Sequence, residues 1–252
     1  MTERSVYRIL VIVFLVAFAT VSAWATSWDP AVQFSITNNP NGVWSYGYAP
    51  TGTASFQGGT VVAPTGATTL LDLTCSAYNT CLNGPNEEYW YSSVVNNGTS
   101  PAVEFNNGPA YDNGNVDFAA DQLALVAGVN IPYAAELIFT APADGTYYGW
   151  GEFTGDQIRI GTGVGIKTPS GIGYVDTIVY RGQVDSFSNT VTLTAGQQVI
   201  FYVAPGGGWQ NTGLNLTITN TPESGTGLYL LLGGGVLLAA ALFRRRSPCQ
   251  AA

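Results

Sequence analysis

The sequence predicts an all-β domain folded as an antiparallel two-sheet sandwich of the jelly-roll type. Short runs rich in Val, Ile, Thr, Tyr, Phe and Trp recur along the chain, separated by clusters of Gly, Asn, Pro and Asp. Between the two chain ends no stretch keeps a helical period. Many short strands in about 200 residues, with no repeat strong enough for a propeller, favour two packed sheets.

The predicted strands follow one another with turn-forming residues between them. In chain order they are Gln33 to Thr37, Val43 to Tyr48, Glu88 to Val95, Gln122 to Val126, Ala134 to Thr140, Thr146 to Phe153, Gln157 to Gly161, Tyr174 to Tyr180, Ser188 to Leu193, Gln198 to Val203 and Leu214 to Thr219.

Two turns favour an antiparallel layout. Pro142 and Asp144-Gly145 supply the fixed and the positive φ values of a tight reversal, and Ala195-Gly196 does the same later in the chain. The segment from Gly161 to Gly165 is glycine-rich but lacks the spacing of a phosphate-binding loop, so we interpret it as a turn or a bulge.

Residues 1–25 have the pattern of a secretory signal peptide. Arg4 and Arg8 form a basic start, Ile9 to Phe18 is an apolar core, and Ala23-Trp24-Ala25 is a small-residue cleavage site. We therefore expect the exported domain to span residues 26–221. The alternative is an uncleaved N-terminal anchor, which the short apolar core disfavours.

The other end of the chain predicts a transmembrane helix over residues 226–243. The run from Gly225 to Phe243 carries no charge and is close to the length that crosses a bilayer. Arg244, Arg245 and Arg246 follow it, and the positive-inside bias places them and the tail of residues 247–252 in the cytoplasm. A simple one-helix membrane anchor explains these features as well.

Residues 222–246 also resemble the PEP-CTERM class of bacterial sorting signals, in which a proline-acid motif, an apolar helix and an arginine cluster end an exported protein. Ser224 stands where the usual member has proline, so Pro222-Glu223-Ser224-Gly225 is nearer the Val-Pro-Asp-Ser-Gly variant. The resemblance implies an exosortase-type processing enzyme as a partner. It also implies a location at the cell surface or in the extracellular matrix.

The exported region resembles a jelly-roll domain often found in front of such signals, on the two turns above and on the segment from Asn39 to Tyr48. That family implies no established activity.

Charge and cysteine content fit export. The chain has a formal net charge of -8 and no histidine, and a surface this acidic repels phosphate backbones, so we expect no nucleic-acid partner. Cys75 and Cys81 bracket a short polar loop, and we expect them to form a local disulfide. Cys249 has no evident partner.

The lack of histidine excludes a Ser-His-Asp or Cys-His site and the usual zinc sites. Catalysis by a pair of carboxylates, as in a glycosidase or a polysaccharide lyase, stays open. Glu136, Glu152 and Asp156 are its candidates.

Aromatic residues are the first candidate for ligand binding. The set comprises Trp44, Tyr46, Tyr48, Trp90, Tyr91, Trp150 and Trp209, with Asn41, Gln210 and Asn211 as neighbouring amides. Flat rings stack on sugars, and Trp44, Trp90 and Trp209 are the predicted ligand-binding residues. The alternative is that such rings fill the core, because residues at a period of two share one face of a strand.

A second candidate is a calcium site at Asp112, Asn115, Asp117 and Asp121, where oxygen-bearing side chains are closely spaced. The same residues are ordinary turn formers, so an unliganded loop is the alternative, and we expect no other cofactor.

These observations predict an exported, non-catalytic sandwich that binds or organises extracellular polysaccharide. The alternatives are the carboxylate enzyme named above and a structural surface protein with no ligand.

Overall fold

The structure, a computed structural model, describes residues 25–51, 63–75, 86–93, 100–128, 131–158, 161–206 and 211–221. Those residues form sixteen strands and no helix. In chain order the strands are β1 (Ser27–Trp28), β2 (Trp44–Pro50), β3 (Thr69–Leu70), β4 (Leu73–Cys75), β5 (Glu87–Tyr91), β6 (Ala102–Asn106), β7 (Tyr111–Asp112), β8 (Asp117–Phe118), β9 (Leu123–Val126), β10 (Tyr133–Thr140), β11 (Gly145–Gly155), β12 (Thr162–Thr168), β13 (Gly171–Ile178), β14 (Val184–Leu193), β15 (Gln198–Ala204) and β16 (Asn211–Thr221).

Two large sheets contain most of these strands. The first sheet has eight strands in the order β14-β11-β16-β9-β6-β5-β4, and β1 also pairs with β16. The second sheet has six in the order β13-β12-β15-β10-β2-β3, while β7 and β8 pair only with each other. The predicted all-β, antiparallel architecture is confirmed.

The last eight strands pair in a nested way. β9 pairs with β16, β10 with β15, β11 with β14 and β12 with β13, all antiparallel. Members of successive pairs alternate between the first and the second sheet. These eight strands thus form four antiparallel pairs, each enclosed in sequence by the pair before it.

The hydrophobic core lies between the two sheets. Phe139 of the second sheet contacts Trp28 and Tyr147 of the first, with ring centroids 5.4 and 5.5 Å apart. Farther along, Tyr46 stacks on Trp90 across the same gap at 6.2 Å. Burial of such large rings is the main stabilising contribution in a two-layer sandwich.

Two predicted strands are wrong. Residues 33–37 form no strand: Gln33 ends a turn in which Asp29 accepts hydrogen bonds from the backbone N–H of Ala31 and Gln33, and residues 34–37 are irregular. Of the strand predicted from Gln157 to Gly161, Gln157 forms an isolated bridge with Val116, Ile158 lies in a turn, and residues 159–160 lie outside the described residues.

The glycine-rich segment from Gly161 to Gly165, interpreted from the sequence as a turn or a bulge, leads into β12, which lies between β13 and β15 in the second sheet. Gly165 lies opposite Tyr202 of β15, and any side chain at Gly165 would overlap the Tyr202 phenol. The missing Cβ therefore serves close packing within a sheet rather than a reversal.

The two turns identified from the sequence join strands of different sheets. Residues 141–144 lead from β10 to β11, and residues 194–197 lead from β14 to β15. They lie side by side, since Ala141 exchanges backbone hydrogen bonds with Gln197 and Gly196, and Asp144 Oδ1 accepts one from Ala195 N–H at 2.7 Å. Each turn therefore crosses from one sheet to the other and does not close a hairpin.

Residues 1–24 of the signal peptide predicted over residues 1–25, the sorting signal over residues 222–246 and the tail over residues 247–252 lie outside the described residues. No helix of the described residues has the length and apolar character to span a membrane. Cys75 is disulfide-bonded, and Cys81 lies outside the described residues, so their pairing stays a prediction.

Candidate functional site

Two of the three predicted ligand-binding tryptophans belong to the core. Trp44 is 0% exposed, and its indole N–H donates to Gln33 Oε1 at 2.8 Å. Trp90 is 7% exposed, and its N–H donates to the Ser35 carbonyl at 2.7 Å. Both rings are buried and pack against other aromatic rings, so neither offers an open face on which a sugar could stack; Trp209 lies outside the described residues.

A stacked pair of exposed aromatic rings lies instead on β11 of the first sheet. Tyr147 points into the core, whereas Tyr148 and Trp150 are each 40% exposed on the opposite, outer face. Their rings stack with centroids 5.2 Å apart and an interplanar angle of 25°. We call Tyr148 and Trp150 the aromatic platform.

Polar side chains surround the platform on three adjacent strands. Thr190 and Ser188 of β14 lie opposite Tyr148 and Trp150, and both are exposed. Asn215 of β16 is exposed on the other side of β11, where its backbone lies against Gly151. Glu152 continues the outer face of β11 beyond Trp150 and is half-buried.

This arrangement suits the recognition of a sugar chain. Stacked, half-exposed rings offer an apolar surface to the C–H face of a sugar, and the neighbouring hydroxyl, amide and carboxylate groups can bond its hydroxyls. Because the face is open, an extended polymer fits it better than an enclosed small molecule. The alternation along β11 is the sequence signal that separates Tyr148 and Trp150 from Tyr147.

A separate cleft of about 500 Å³ opens beside β1 and the start of β2. It contains two of the residues singled out from the sequence, Asn41 and Trp44. Its lining comprises Trp28, Gln33, Phe34, Asn41, Gly42, Val43 and Trp44.

The three carboxylates considered for catalysis are not brought together. Glu136 lies in the second sheet opposite Tyr202, where Thr68 Oγ1 donates to Glu136 Oε2 at 2.7 Å and burial raises the pKa of Glu136 to about 6. Glu152 belongs to β11 of the first sheet, and the buried Asp156 directly follows the end of that strand. Glu136 therefore shares no cleft with the other two in the described part of the chain.

A buried acidic group on the first sheet was missed from the sequence. Glu104 is fully buried, and burial followed by the nearby charges of Glu87 and Asp156 raises its pKa well above the usual range. Burial also raises the pKa of Asp156, against a hydrogen bond from Gln122. Glu104 Oε2 and Asp156 Oδ2 have no hydrogen-bond partner within the described residues. These acids come together only through cross-strand pairing, which the sequence order conceals.

Two of the four residues of the predicted calcium site, Asp112 and Asp117, form an ion pair with Arg181. Arg181 contacts Asp112 at 2.5 Å and Asp117 at 3.1 Å, and Asn115 and Asp121 are exposed. Asp121 has a φ of 55°, as expected for a turn residue. Within the described ranges no group of three or more His, Cys, Asp or Glu is arranged to hold a metal ion.

No family model matches the chain, and no curated protein matches it. Among solved structures it is similar to the enzymatically active domain of tailspike protein 4 of bacteriophage CBA120, with 9% identity and a TM-score of 0.34 over 75% of this chain and 20% of that one. A family 35 carbohydrate binding module from Clostridium thermocellum gives 14% identity and a TM-score of 0.28 over 46% of this chain and 90% of the module. The K3 adhesin domain of Lys-gingipain from Porphyromonas gingivalis gives 14% identity and a TM-score of 0.28 over 44% of this chain and 90% of that domain. TM-scores this low carry no argument about what this chain does.

Proposed function

We propose that this chain is an exported, non-catalytic β-sandwich protein that binds extracellular polysaccharide through the aromatic platform. The single observation that carries the proposal is the stacked, half-exposed pair of Tyr148 and Trp150. Exposing two large rings side by side on a sheet costs hydration free energy, which is recovered when a ligand covers them.

The flanking groups support a sugar ligand over a protein partner. Ser188, Thr190 and Asn215 are short and polar, and they border the rings on both neighbouring strands. Protein-binding patches are typically apolar at their centre over a wider area. A narrow aromatic strip within hydroxyl and amide groups matches the alternating apolar and polar surface of a sugar chain.

The nested strand pairing supports the jelly-roll part of this proposal. In a jelly roll, successive antiparallel pairs of one long ribbon alternate between the two sheets, as the pairs β9–β16, β10–β15, β11–β14 and β12–β13 do here.

The sorting of the protein to the cell surface by an exosortase, through Pro222 to Arg246, is also part of the proposal. Mass measurement of the protein recovered from its native surface tests it: loss of the segment after Pro222 supports sorting, and retention to Ala252 supports a plain anchor.

Binding is tested by electrophoresis of the full-length chain, in a detergent without sugar groups, through gels that contain a dissolved polysaccharide. We expect retardation by at least one polysaccharide recovered from the producing cells. Unchanged mobility in every such gel would contradict the proposed function.

A further inference from the structure

We propose that the cleft beside β1 is a second binding site, which takes the hydroxyl-rich end of a short neutral saccharide. This proposal goes beyond the platform, because the cleft shares none of its residues and has a different shape. Its volume of about 500 Å³ falls within the range of about 300–1,000 Å³ usual for small-ligand sites.

Two side-chain amides in the cleft are held in fixed orientations. Gln33 Oε1 accepts the Trp44 indole N–H at 2.8 Å, which turns the oxygen of that amide toward the core. Asn41 Nδ2 donates to the Gln33 carbonyl at 2.8 Å. Each amide therefore has one of its two polar atoms engaged by the protein.

The other polar atom of each amide is left for a ligand. Gln33 Nε2, a donor, and Asn41 Oδ1, an acceptor, make no hydrogen bond within the described part of the chain. A sugar hydroxyl is both a donor and an acceptor, so one or two adjacent hydroxyls satisfy this pair. The orientations are set before binding, which lowers the entropic cost of recognition.

The remaining walls are apolar and carry no charge. Trp28 and Phe34 present aromatic surface to the cleft, and Val43 adds an aliphatic wall. Trp28 packs on Phe139 at 5.4 Å and Phe34 on Tyr46 at 5.1 Å, so both rings are held by the core. Since no lysine, arginine, aspartate or glutamate lines the cleft, a neutral ligand is favoured over an ionic one.

The test uses the full-length chain in a detergent without sugar groups, titrated with glucose, N-acetylglucosamine, cellotriose and laminaritriose by calorimetry. The diagnostic variant is Gln33→Glu, which keeps an oxygen for the Trp44 indole but replaces the free donor by an acceptor. We expect at least one of these saccharides to bind the wild type. Gln33→Glu should weaken that binding by about 5- to 100-fold, because a sugar hydroxyl that covers the exposed Gln33 amide would meet an acceptor where the wild type offers a donor.

Asn113→Asp is the matched control. It makes the same change of charge on the loop between β7 and β8 and keeps the Asn113 oxygen that accepts from Asn115 N–H at 2.9 Å. We expect this control to bind like the wild type. If Gln33→Glu fails to fold, the readout is the NMR resonances of the Trp28 and Trp44 indole N–H groups in the wild type. The bound saccharide should shift these resonances.

Failure of all four saccharides to bind the wild type, binding by folded Gln33→Glu with wild-type affinity, or unmoved indole resonances would overturn the second site. The polysaccharide gels test the platform separately. Retardation there together with no saccharide binding would reject the cleft alone and leave the proposed function standing.

Discussion

Tyr148 and Trp150 stack on the outer face of β11 with their ring centroids 5.2 Å apart, while Tyr147, between them and the preceding turn, is buried in the core. One strand thus contributes both to the packing that stabilises the sandwich and to the surface proposed to bind polysaccharide. The strict alternation of side chains along β11 allows the two roles to be changed separately by mutation.

The charge around the platform predicts a preference for neutral over acidic polymers. Glu152 is the next outer-face residue after Trp150, and among the described residues the only basic side chains are Lys167, in the second sheet, and Arg181, which is paired with Asp112. At low salt we expect hydroxyethylcellulose to bind more tightly than carboxymethylcellulose, which has the same backbone.

Glu152→Gln should improve binding of the acidic polymer by about two- to fivefold, the effect of one exposed charge, and leave the neutral polymer unaffected. Affinity electrophoresis in both polymers measures this. Glu88→Gln, which removes a charge on β5, is the control. Equal or tighter binding of carboxymethylcellulose by the wild type would show that the charge assignment is wrong.

The buried acids predict that stability falls as pH rises. Burial raises the pKa values of Glu104 and Asp156 in the folded protein, so the folded state holds protons that the unfolded chain releases above about pH 4. The folded state then binds more protons than the unfolded state, and each such proton lowers the free energy of unfolding by about 1.4 kcal/mol per pH unit until the folded pKa is passed. A carboxylate held in a salt bridge has the opposite effect: its pKa is lowered by folding, so the free energy of unfolding rises with pH.

Glu104→Gln removes the contribution of Glu104 to the pH dependence of stability, leaves that of Asp156, and keeps the shape of the side chain. We expect the free energy of unfolding of the wild type to decrease between pH 5 and pH 8, and that of Glu104→Gln to decrease less steeply, as measured by urea denaturation in a pH series. Glu88→Gln should retain the wild-type slope. A wild-type protein that becomes more stable across this range would contradict the assignment.

Two glycines predict opposite effects of the same substitution. A Cβ at Gly165 would overlap the Tyr202 phenol and lie 2.8 Å from the Tyr174 carbonyl oxygen, so Gly165→Ala should destabilise the protein by about 1–3 kcal/mol. Gly149 lines a small apolar cavity, and a Cβ there would meet only Ile218 at 3.7 Å and Thr217 at 4.0 Å. Gly149→Ala should therefore be neutral or stabilise by up to about 1 kcal/mol.

Urea denaturation of both variants distinguishes these outcomes. Equal stability of Gly165→Ala and the wild type would show that the second sheet adjusts around β12. Strong destabilisation by Gly149→Ala would show that the cavity does not accept a methyl group.

Periodicity along single strands allowed part of the site to be predicted. The period of two places Trp44, Tyr46 and Tyr48 on one face of β2, and all three are buried. It does not say which face of a strand meets the other sheet, so it cannot distinguish a ligand-binding Trp44 from the Trp44 of the structure, whose ring packs on Phe139. Tyr148 and Trp150 were separated from Tyr147 by the same rule, but only the assembled sheets show that they face solvent.

Contacts that depend on pairing between strands far apart in the chain could not be predicted from the sequence. Asp156 occupies the space above Gly213 of β16, and Glu104 lies opposite Ala124 of β9; both placements follow from sheet order. The fixed orientation of the Gln33 amide depends on a turn that begins at Asp29 and ends at Gln33, where the sequence pattern predicts the start of a strand. Local patterns predict strands and turns, whereas the contacts that build a site come from the order in which the strands pair.

The most direct test of the central claim is the affinity of the full-length chain for polysaccharide from the producing cells, measured for the wild type, for Tyr148→Ala/Trp150→Ala and for Tyr180→Ala. Tyr180 is 61% exposed at the turn after β13 and provides a control for loss of an exposed ring. Loss of an aromatic anchor costs about 2 kcal/mol or more, so the double variant should bind at least about 30-fold more weakly at an unchanged unfolding midpoint, and Tyr180→Ala should bind like the wild type. Wild-type affinity in the double variant would contradict polysaccharide binding by this surface.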